Sequence, residues 1–249
     1  MIVCKSQEEL EKMRRGALIV ADALEAVREM VAVGVRTREL DAVAENTILK
    51  AGARPAFKGY NGFPATLCTS INSQIVHGIP GDYKLKAGDI ISIDCGVCCD
   101  GYYADSAITV PVGEIDENLK TLLKVTEEAL YLGIKQARVG NRVSDISAAV
   151  QQHVEPYGFS VVREFVGHGI GKHLHEEPQI PNYGPPGRGP KLEEGMVLAI
   201  EPMVNTGGAA HRTLSDGWTA VTADGGYSAH FEHSVAVTAN GPWILSQRN

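Results

Sequence analysis

Two aspartates, Asp94 and Asp105, stand on either side of an Asp-Gly pair and are the residues best suited to chemistry in this sequence. An Asp-Gly pair between two runs of β-forming residues predicts a hairpin, because a type I′ turn requires positive φ at both central residues. With Asp100-Gly101 as the turn, Asp105 lies opposite Gly96, and the two-residue strand period puts Asp94 on the same face. Diagonal neighbours lie about 7–8 Å apart, so both carboxylates can reach one group of cations.

The surroundings of this carboxylate pair leave two interpretations. In the first, both side chains face solvent beside the turn. In the second they are buried, because the flanking strands are apolar enough to be covered on both faces. The apolar residues are Ile90, Ile91, Ile93, Val97 and Ile108. A buried carboxylate pair needs a positively charged partner, so the second interpretation predicts a cation site.

Three further donor residues lie later in the chain. Alternation along the final strand region places Glu232 on the same face as His230. The glycines beside His168 let the backbone pass close to a ligand, although a lone histidine in such a loop is more often structural. Glu201 ends another apolar run.

Together these residues form a set of four carboxylates and one imidazole: Asp94, Asp105, His168, Glu201 and Glu232. Oxygen and imidazole donors of this kind suit hard to borderline divalent ions. Two divalent ions neutralise four carboxylates, whereas the same groups buried together without metal would be strongly destabilising. The donor set therefore predicts a pair of divalent ions.

The elements that must position these donors follow from helical periodicity and from breaker residues. A capping box at Ser6 begins the first predicted helix, and Gly34 follows its end. The predicted helices cover residues 6–32, 37–51, 116–138 and 143–156. The segments predicted to lack helix are 55–80 as loop and short strands, 160–166 as a strand, and the proline-rich 178–190 as a surface loop.

Two short motifs recur about a hundred positions apart. Val33-Gly34-x-Arg36 returns as Val139-Gly140-x-Arg142, and the strand that ends in Asp94 is matched by one that ends in Glu201. The repeat predicts an α+β fold in a single domain, 1–249, with two halves related by a pseudo-twofold axis. The halves cover roughly residues 1–110 and 111–249. Equivalent strands would then bring Asp94 and Glu201 to a shared centre.

Composition excludes several classes of partner. The chain has 249 residues, 44% of them hydrophobic, and a formal net charge of −7, which argues against a nucleic-acid-binding surface. Its N-terminal region contains no apolar stretch of signal-peptide length, and no segment has the ~20 apolar residues that span a bilayer. We therefore expect a cytoplasmic protein with no membrane partner. Five cysteines, an odd number, are expected to be free thiols.

The sequence resembles the type I methionine aminopeptidases, in the short form found in bacteria, which share the pita-bread fold with prolidases and creatinases. The resemblance spans nearly the whole chain. Its most specific part is residues 165–175, which read FVGHGIGKHLH, followed by Ile180 and Asn182-Tyr183. It implies a central antiparallel sheet covered by helices. It also implies that the five donors named above are metal ligands, with Asp105 and Glu232 bridging two ions of Mn, Fe, Co or Zn.

The resemblance also implies an activity, the removal of N-terminal methionine from nascent proteins and peptides with a small second residue. Metal-activated water would attack the scissile carbonyl, with His77 and His175 contacting the substrate. We expect His175 to stabilise the oxyanion and Glu201 to move the proton. The methionine pocket would comprise Tyr60, Phe63, Cys68, Leu174 and Trp218. Nascent chains near the ribosome would be the partners of a monomer.

Two alternatives remain open at this point. A prolidase-like Xaa-Pro aminopeptidase uses the same metal cage, although such chains usually carry an extra N-terminal domain, for which a helix beginning at residue 6 leaves no room. A metal-free pita-bread module that binds proteins is the other, and the presence of all five donors argues against it. One departure from the family is that His230 stands where Gln is common.

Overall fold

A computed structural model describes residues 2–248, so that Met1 and Asn249 of the predicted 1–249 domain lie outside the described residues. The helices are α1 (Gln7–Met30), α2 (Thr37–Lys50), α3 (Glu117–Gln136) and α4 (Val143–Val154), with short 3-10 turns at Tyr60–Gly62 and Glu155–Tyr157. Ser6 caps α1 in a capping box with Glu9, so the first helix begins where the sequence predicts. The other three agree with prediction to within two residues at each end.

The strands are short except for one long hairpin. They are β1 (Arg54–Pro55), β2 (Leu67–Ile71), β3 (Gln74–Val76), β4 (Ile90–Cys99), β5 (Tyr102–Pro111), β6 (Ser160–Val161), β7 (Gly167–Gly169), β8 (Glu176–Ile180), β9 (Val197–Ile200), β10 (Met203–Asn205), β11 (His211–Thr213), β12 (Ala220–Thr222), β13 (Ser228–His230), β14 (Glu232–Thr238) and β15 (Gly241–Ile244). Nine of these form an antiparallel sheet in the order β1-β4-β5-β14-β9-β7-β8, with β2 on β4 and β15 on β14. Helices cover this sheet, so the predicted α+β class is confirmed.

The predicted hairpin is confirmed in its turn and in its register. Asp100 and Gly101 have φ of 51° and 80°, and Gly96 pairs with Asp105 across β4 and β5. Asp94 pairs with Ala107 two residues further along, which leaves the two carboxylates diagonal on one face. Eight of the ten residues of β4 are buried, so the hairpin is covered on both faces and the solvated interpretation of the aspartate pair is wrong.

The pseudo-twofold relation between the halves is visible in matching backbone contacts. An isolated bridge joins Arg36 to Lys84 in the first half, and its counterpart joins Arg142 to Lys191 in the second. The helices of each half pack mainly, but not only, on strands of the same half. One hydrophobic core lies under α1 and α2 and the other under α3 and α4.

Two predicted elements are wrong in extent. The strand expected at 160–166 is limited to Ser160–Val161, because the chain then turns to place the Phe165 ring 5.1 Å from that of His211. The loop expected at 178–190 begins later, since Pro178 to Ile180 belong to β8. This strand is at the end of the sheet order, where proline is tolerated because no neighbour needs its missing N–H.

The final strand region is not one continuous strand. It breaks at Phe231, whose N–H donates to the carbonyl of Pro202, and its two parts join different sheets. His230 ends β13 in a three-stranded sheet, whereas Glu232 begins β14 in the large sheet. The two side chains nevertheless approach the same cluster of carboxylates, as described below.

Candidate metal centre

A cavity of about 350 Å³ opens between the two halves of the large sheet. Its wall contains every residue that the sequence analysis predicts for the site: Tyr60, Phe63, Cys68, His77, Asp94, Asp105, His168, Leu174, His175, Glu201, Trp218 and Glu232. One side is acidic and the other is apolar. The structure thus brings all twelve together, although they come from distant parts of the chain.

The acidic side is built where β5, β14, β9 and β7 lie side by side. One ligand atom each from Asp105, His168 and Glu232 lies within 4.8 Å of the others, which is close enough to hold one ion. The Nε2 atom of His168 is 3.9 Å from Oδ2 of Asp105 and 3.6 Å from Oε1 of Glu201. Asp94 completes the group from the neighbouring strand of the hairpin.

The carboxylates of this cluster lack the partners that buried charges need. Within residues 2–248, Oδ1 of Asp94, Oδ1 of Asp105 and Oε1 of Glu232 are buried and have no hydrogen-bond partner. No described Lys or Arg side chain lines the cavity. Buried oxygens left in this way are costly unless a cation accepts them. The donors therefore fit divalent ions, which supply the missing positive charge.

The pKa values of the same carboxyl groups are raised, because burying several negative charges together away from water is unfavourable. Burial, and next the charge of Asp105, raise the pKa of Asp94 well above its ordinary value. Burial followed by the neighbouring carboxylates does the same to the pKa of Glu201 and of Glu232. The pKa of Asp105 rises to about 7, chiefly through burial. A bound cation would favour the charged forms and reverse these shifts.

The imidazole of His168 presents the nitrogen that a metal needs. Its Nδ1 lies 2.9 Å from the carbonyl oxygen of Gly169, and a carbonyl oxygen only accepts, so Nδ1 carries the proton. The lone pair is then on Nε2, which faces the carboxylates. Burial lowers the pKa of His168 to about 4, which keeps the ring neutral and able to act as a ligand.

Two histidines stand between the acidic and apolar sides. The ring of His175 packs edge-on against His168 with centroids 4.4 Å apart, and its Nδ1 is 2.8 Å from the hydroxyl of Tyr60. His77 has a left-handed backbone with φ of 61° and packs edge-on against Phe165 and Trp218. Burial lowers the pKa of His77 to about 4, so the imidazole is uncharged near neutral pH.

The apolar side is formed by aromatic rings at right angles. Phe63 meets Trp218 edge-to-face at 5.2 Å, and Leu174 closes the floor with only 2% of its surface exposed. The backbone at Trp218 is fixed by Asp216, one of whose oxygens accepts from the backbone N–H of Trp218 at 2.9 Å. Cys68 pairs with Asp94 across β2 and β4, which puts its side chain at the boundary with the carboxylates.

With this geometry established, comparison with known proteins places the chain. Residues 11–239 match metallopeptidase family M24. The chain belongs to family M24. As a member of this metallopeptidase family it uses divalent metal, which agrees with the unpartnered carboxylate oxygens of the cavity.

Proteins named methionine aminopeptidase match this chain over almost their full length. A protein from Clostridium perfringens named methionine aminopeptidase is 55% identical over 246 residues, which are 99% of each chain. The crystal structure of methionine aminopeptidase from Thermotoga maritima superposes with a TM-score of 0.98, at 46% identity and full coverage of both chains. A prolidase from Pyrococcus horikoshii shares the fold at TM-score 0.82, but only 65% of that chain is covered, at 24% identity.

The structure adds residues to the cavity wall that sequence reasoning missed. They are Phe57, Asn61, Val76, Glu164, Phe165 and Val166. Most of them could have been found from the sequence, because they lie next to a predicted site residue or inside the 165–175 motif. His230 is buried and does not line the cavity. Its Nε2 atom lies 3.4 Å from Oε2 of Glu201, and this atom has no hydrogen-bond partner among the described residues.

The cysteines are free, as expected, in the described part of the chain. Cys98 shares the strand face of Asp94, but it pairs with Tyr103 near the turn and does not line the cavity. Cys95 is fully buried on the other face. Neither extends the metal cluster.

Proposed function

We propose that this chain removes the N-terminal methionine from peptides and nascent proteins and prefers a small second residue. The observation that carries the proposal is the single cavity in which an apolar aromatic pocket adjoins a buried cluster of unpartnered carboxylates. A thioether packs well against aromatic edges such as those of this pocket. Full-length similarity to proteins named methionine aminopeptidase supports the same activity.

The donor set supports two divalent ions of Mn, Fe, Co or Zn. Asp105, His168 and Glu232 each offer one ligand atom within 4.8 Å of the others, and the family resemblance implies that Asp105 and Glu232 would be shared between the two ions. Asp94 would hold one ion, and His168 with Glu201 the other. When bound, such ions lower the pKa of water and polarise a carbonyl oxygen.

The chain's own residues then position the substrate and manage its protons. If the Tyr60 hydroxyl donates to Nδ1 of His175, Nε2 keeps its hydrogen and can donate to the developing oxyanion. Glu201 would hold and return the proton, since its carboxylate faces the cluster next to His168. His77 would hydrogen-bond the substrate from the rim of the aromatic pocket.

Two substrates separate the main proposal from the prolidase-like alternative. We expect hydrolysis of Met-Ala-Ser and not of an Ala-Pro dipeptide, abolished by EDTA and restored by adding back Mn, Fe, Co or Zn one at a time. His175→Ala should retain metal but lose most of kcat. Preferential cleavage of Ala-Pro would replace this proposal with the prolidase-like one. Cleavage of neither substrate with any ion would favour the metal-free binding module.

The setting of the reaction is part of the proposal. We propose a cytoplasmic monomer that acts on nascent chains near the ribosome, without binding nucleic acid or membrane. The net charge of −7 supports the absence of nucleic-acid binding, because a negatively charged protein is repelled by the phosphate backbone. Among the described residues, no helix has the length and apolarity to cross a bilayer. Sedimentation analysis of the pure protein, with and without ribosomes, tests the monomer and the ribosome contact separately.

A further inference from the structure

A buried ion pair, Lys5–Glu176, lies outside the cavity, and the proposed reaction assigns it no role. Nζ of Lys5 is 2.7 Å from Oε2 of Glu176, and the two side chains are only 4% and 11% exposed. Removing two charges from water is expensive, so a pair like this is weak evidence for a stabilising role. We therefore consider which parts of the backbone the pair connects.

The pair holds the turn that precedes β8. The second oxygen of Glu176, Oε1, accepts a hydrogen bond from the backbone N–H of His173 at 3.1 Å. Gly171 closes the turn with its N–H on the carbonyl of His173, also at 3.1 Å. A Cβ at Gly171 would lie 2.5 Å from Cε of Lys5 and 2.7 Å from Oε1 of Glu176, so glycine leaves the space that the pair fills.

Lys5 is itself fixed by its backbone and by a second bond from its ammonium. Its N–H donates to the carbonyl of Gly195 at 2.7 Å, and its Nζ also donates to the carbonyl of Val3 at 3.0 Å. A Cβ on Gly195 would approach the carbonyl oxygen of Lys5 to 2.5 Å, so the two backbones are in close contact. The segment Val3–Ser6, here called the strap, is thereby anchored to the turn before β9 and carries a rigidly placed ammonium.

The residue between the two held positions is His175. It lies one residue before Glu176 and two after His173, and its ring stands in the cavity against His168 and the Tyr60 hydroxyl. Burial raises the pKa of Glu176, but the bonds from Lys5 and from the backbone of His173 outweigh it and leave the pKa below the ordinary value. The carboxylate is therefore ionised, and its tie to the strap is a charge-assisted bond.

We propose that Lys5 and Glu176 are positioning residues that fix the His175 imidazole for catalysis through the turn 171–176. The inference rests on the proposed function, since it assigns these residues a part in the same reaction. A displacement of about 1 Å in a catalytic group can cost about 100-fold in rate. Because neither Lys5 nor Glu176 lines the cavity, breaking their ion pair should lower kcat while leaving substrate binding and metal content intact.

The test compares Lys5→Met, just before α1, with a matched control at Lys12, inside the same helix. Lys12→Met removes an ammonium that pairs with Glu8 at the same 2.7 Å distance on a more exposed surface. With the metal-loaded full-length protein and Met-Ala-Ser, Lys5→Met is expected to lower kcat about 10- to 100-fold, with KM and metal content within twofold. Lys12→Met should match the wild type. Should Lys5→Met fail to fold, Glu176→Gln replaces it, since the amide keeps the bond from His173 but loses the charge.

The decisive arm repeats the substitution in a His175→Ala background. If the strap acts through His175, adding Lys5→Met there changes kcat by less than twofold. An equal loss in both backgrounds, or wild-type kcat for Lys5→Met, would overturn the inference. A readout independent of activity is the NMR resonance of the His175 ring, assigned by its loss in His175→Ala. It should shift in Lys5→Met and not in Lys12→Met, even if the wild type proves inactive on Met-Ala-Ser, which would refute the proposed function alone.

Discussion

Replacing Tyr60 by phenylalanine isolates one hydrogen bond in the cavity. The hydroxyl is 2.8 Å from Nδ1 of His175, and the two rings are tilted with centroids 5.3 Å apart. Phenylalanine keeps the ring that forms the pocket wall and removes only the oxygen. The His175 ring then loses the contact that fixes its tautomer and its rotation.

The size of the effect follows from the bond that is lost. A neutral hydrogen bond contributes about 0.5–1.5 kcal/mol net. If that energy is fully expressed in the transition state, kcat falls about 2- to 12-fold, because about 1.4 kcal/mol corresponds to a factor of ten. KM for Met-Ala-Ser should stay within about twofold, since the apolar wall is intact.

Steady-state kinetics of two variants gives the comparison. Phe63→Leu is the matched control, because it removes the edge contact with Trp218 at 5.2 Å without touching His175. It should raise KM and leave kcat nearly unchanged. The reasoning is refuted if Tyr60→Phe leaves kcat at the wild-type value, or if it lowers kcat by the same factor when His175 is already alanine.

Three other predictions concern the metal cluster and the strand behind it. Asp105→Asn should deplete both ions and Asp94→Asn mainly one, as measured by elemental analysis after dialysis, and equal depletion would contradict the proposal that both ions share Asp105. Chelation should lower the thermal unfolding midpoint, and restoring an ion to 100 times its Kd should return about 2.7 kcal/mol; an unchanged midpoint would mean that the unpartnered oxygens cost little. Thr109→Val should lower the free energy of unfolding in urea by about 1–3 kcal/mol, because Thr109 Oγ1 bonds both the N–H and the carbonyl of His230. An unchanged urea midpoint would show that water replaces these bonds.

Local chemistry made the hairpin predictable. The turn requires positive φ at Asp100 and Gly101, and once the turn is known the pairing of Gly96 with Asp105 follows by counting. The repeat was predictable for a related reason, since two copies of a short motif must make the same backbone bridges. The convergence of the carboxylates on one cavity was predictable, because carboxylates on apolar strands are expected to gather around a cation.

Other features depend on partners that are distant in sequence. The break at Phe231 exists because its N–H meets the carbonyl of Pro202, and no local pattern shows that contact. The Lys5–Glu176 pair joins residues that are 171 positions apart in the sequence. The pocket residues Tyr60 and Trp218 followed only from the family resemblance, because isolated aromatics are more often core.

Because the donors are divided between the two halves, bound ions would also stabilise the fold. The first half contributes Asp94 and Asp105, and the second contributes His168, Glu201 and Glu232. An ion held by both groups closes a loop of about a hundred residues, and clips across long loops remove much of the freedom of the unfolded chain. Metal supply would then govern how long each molecule survives proteolysis in the cell, as well as how fast it works.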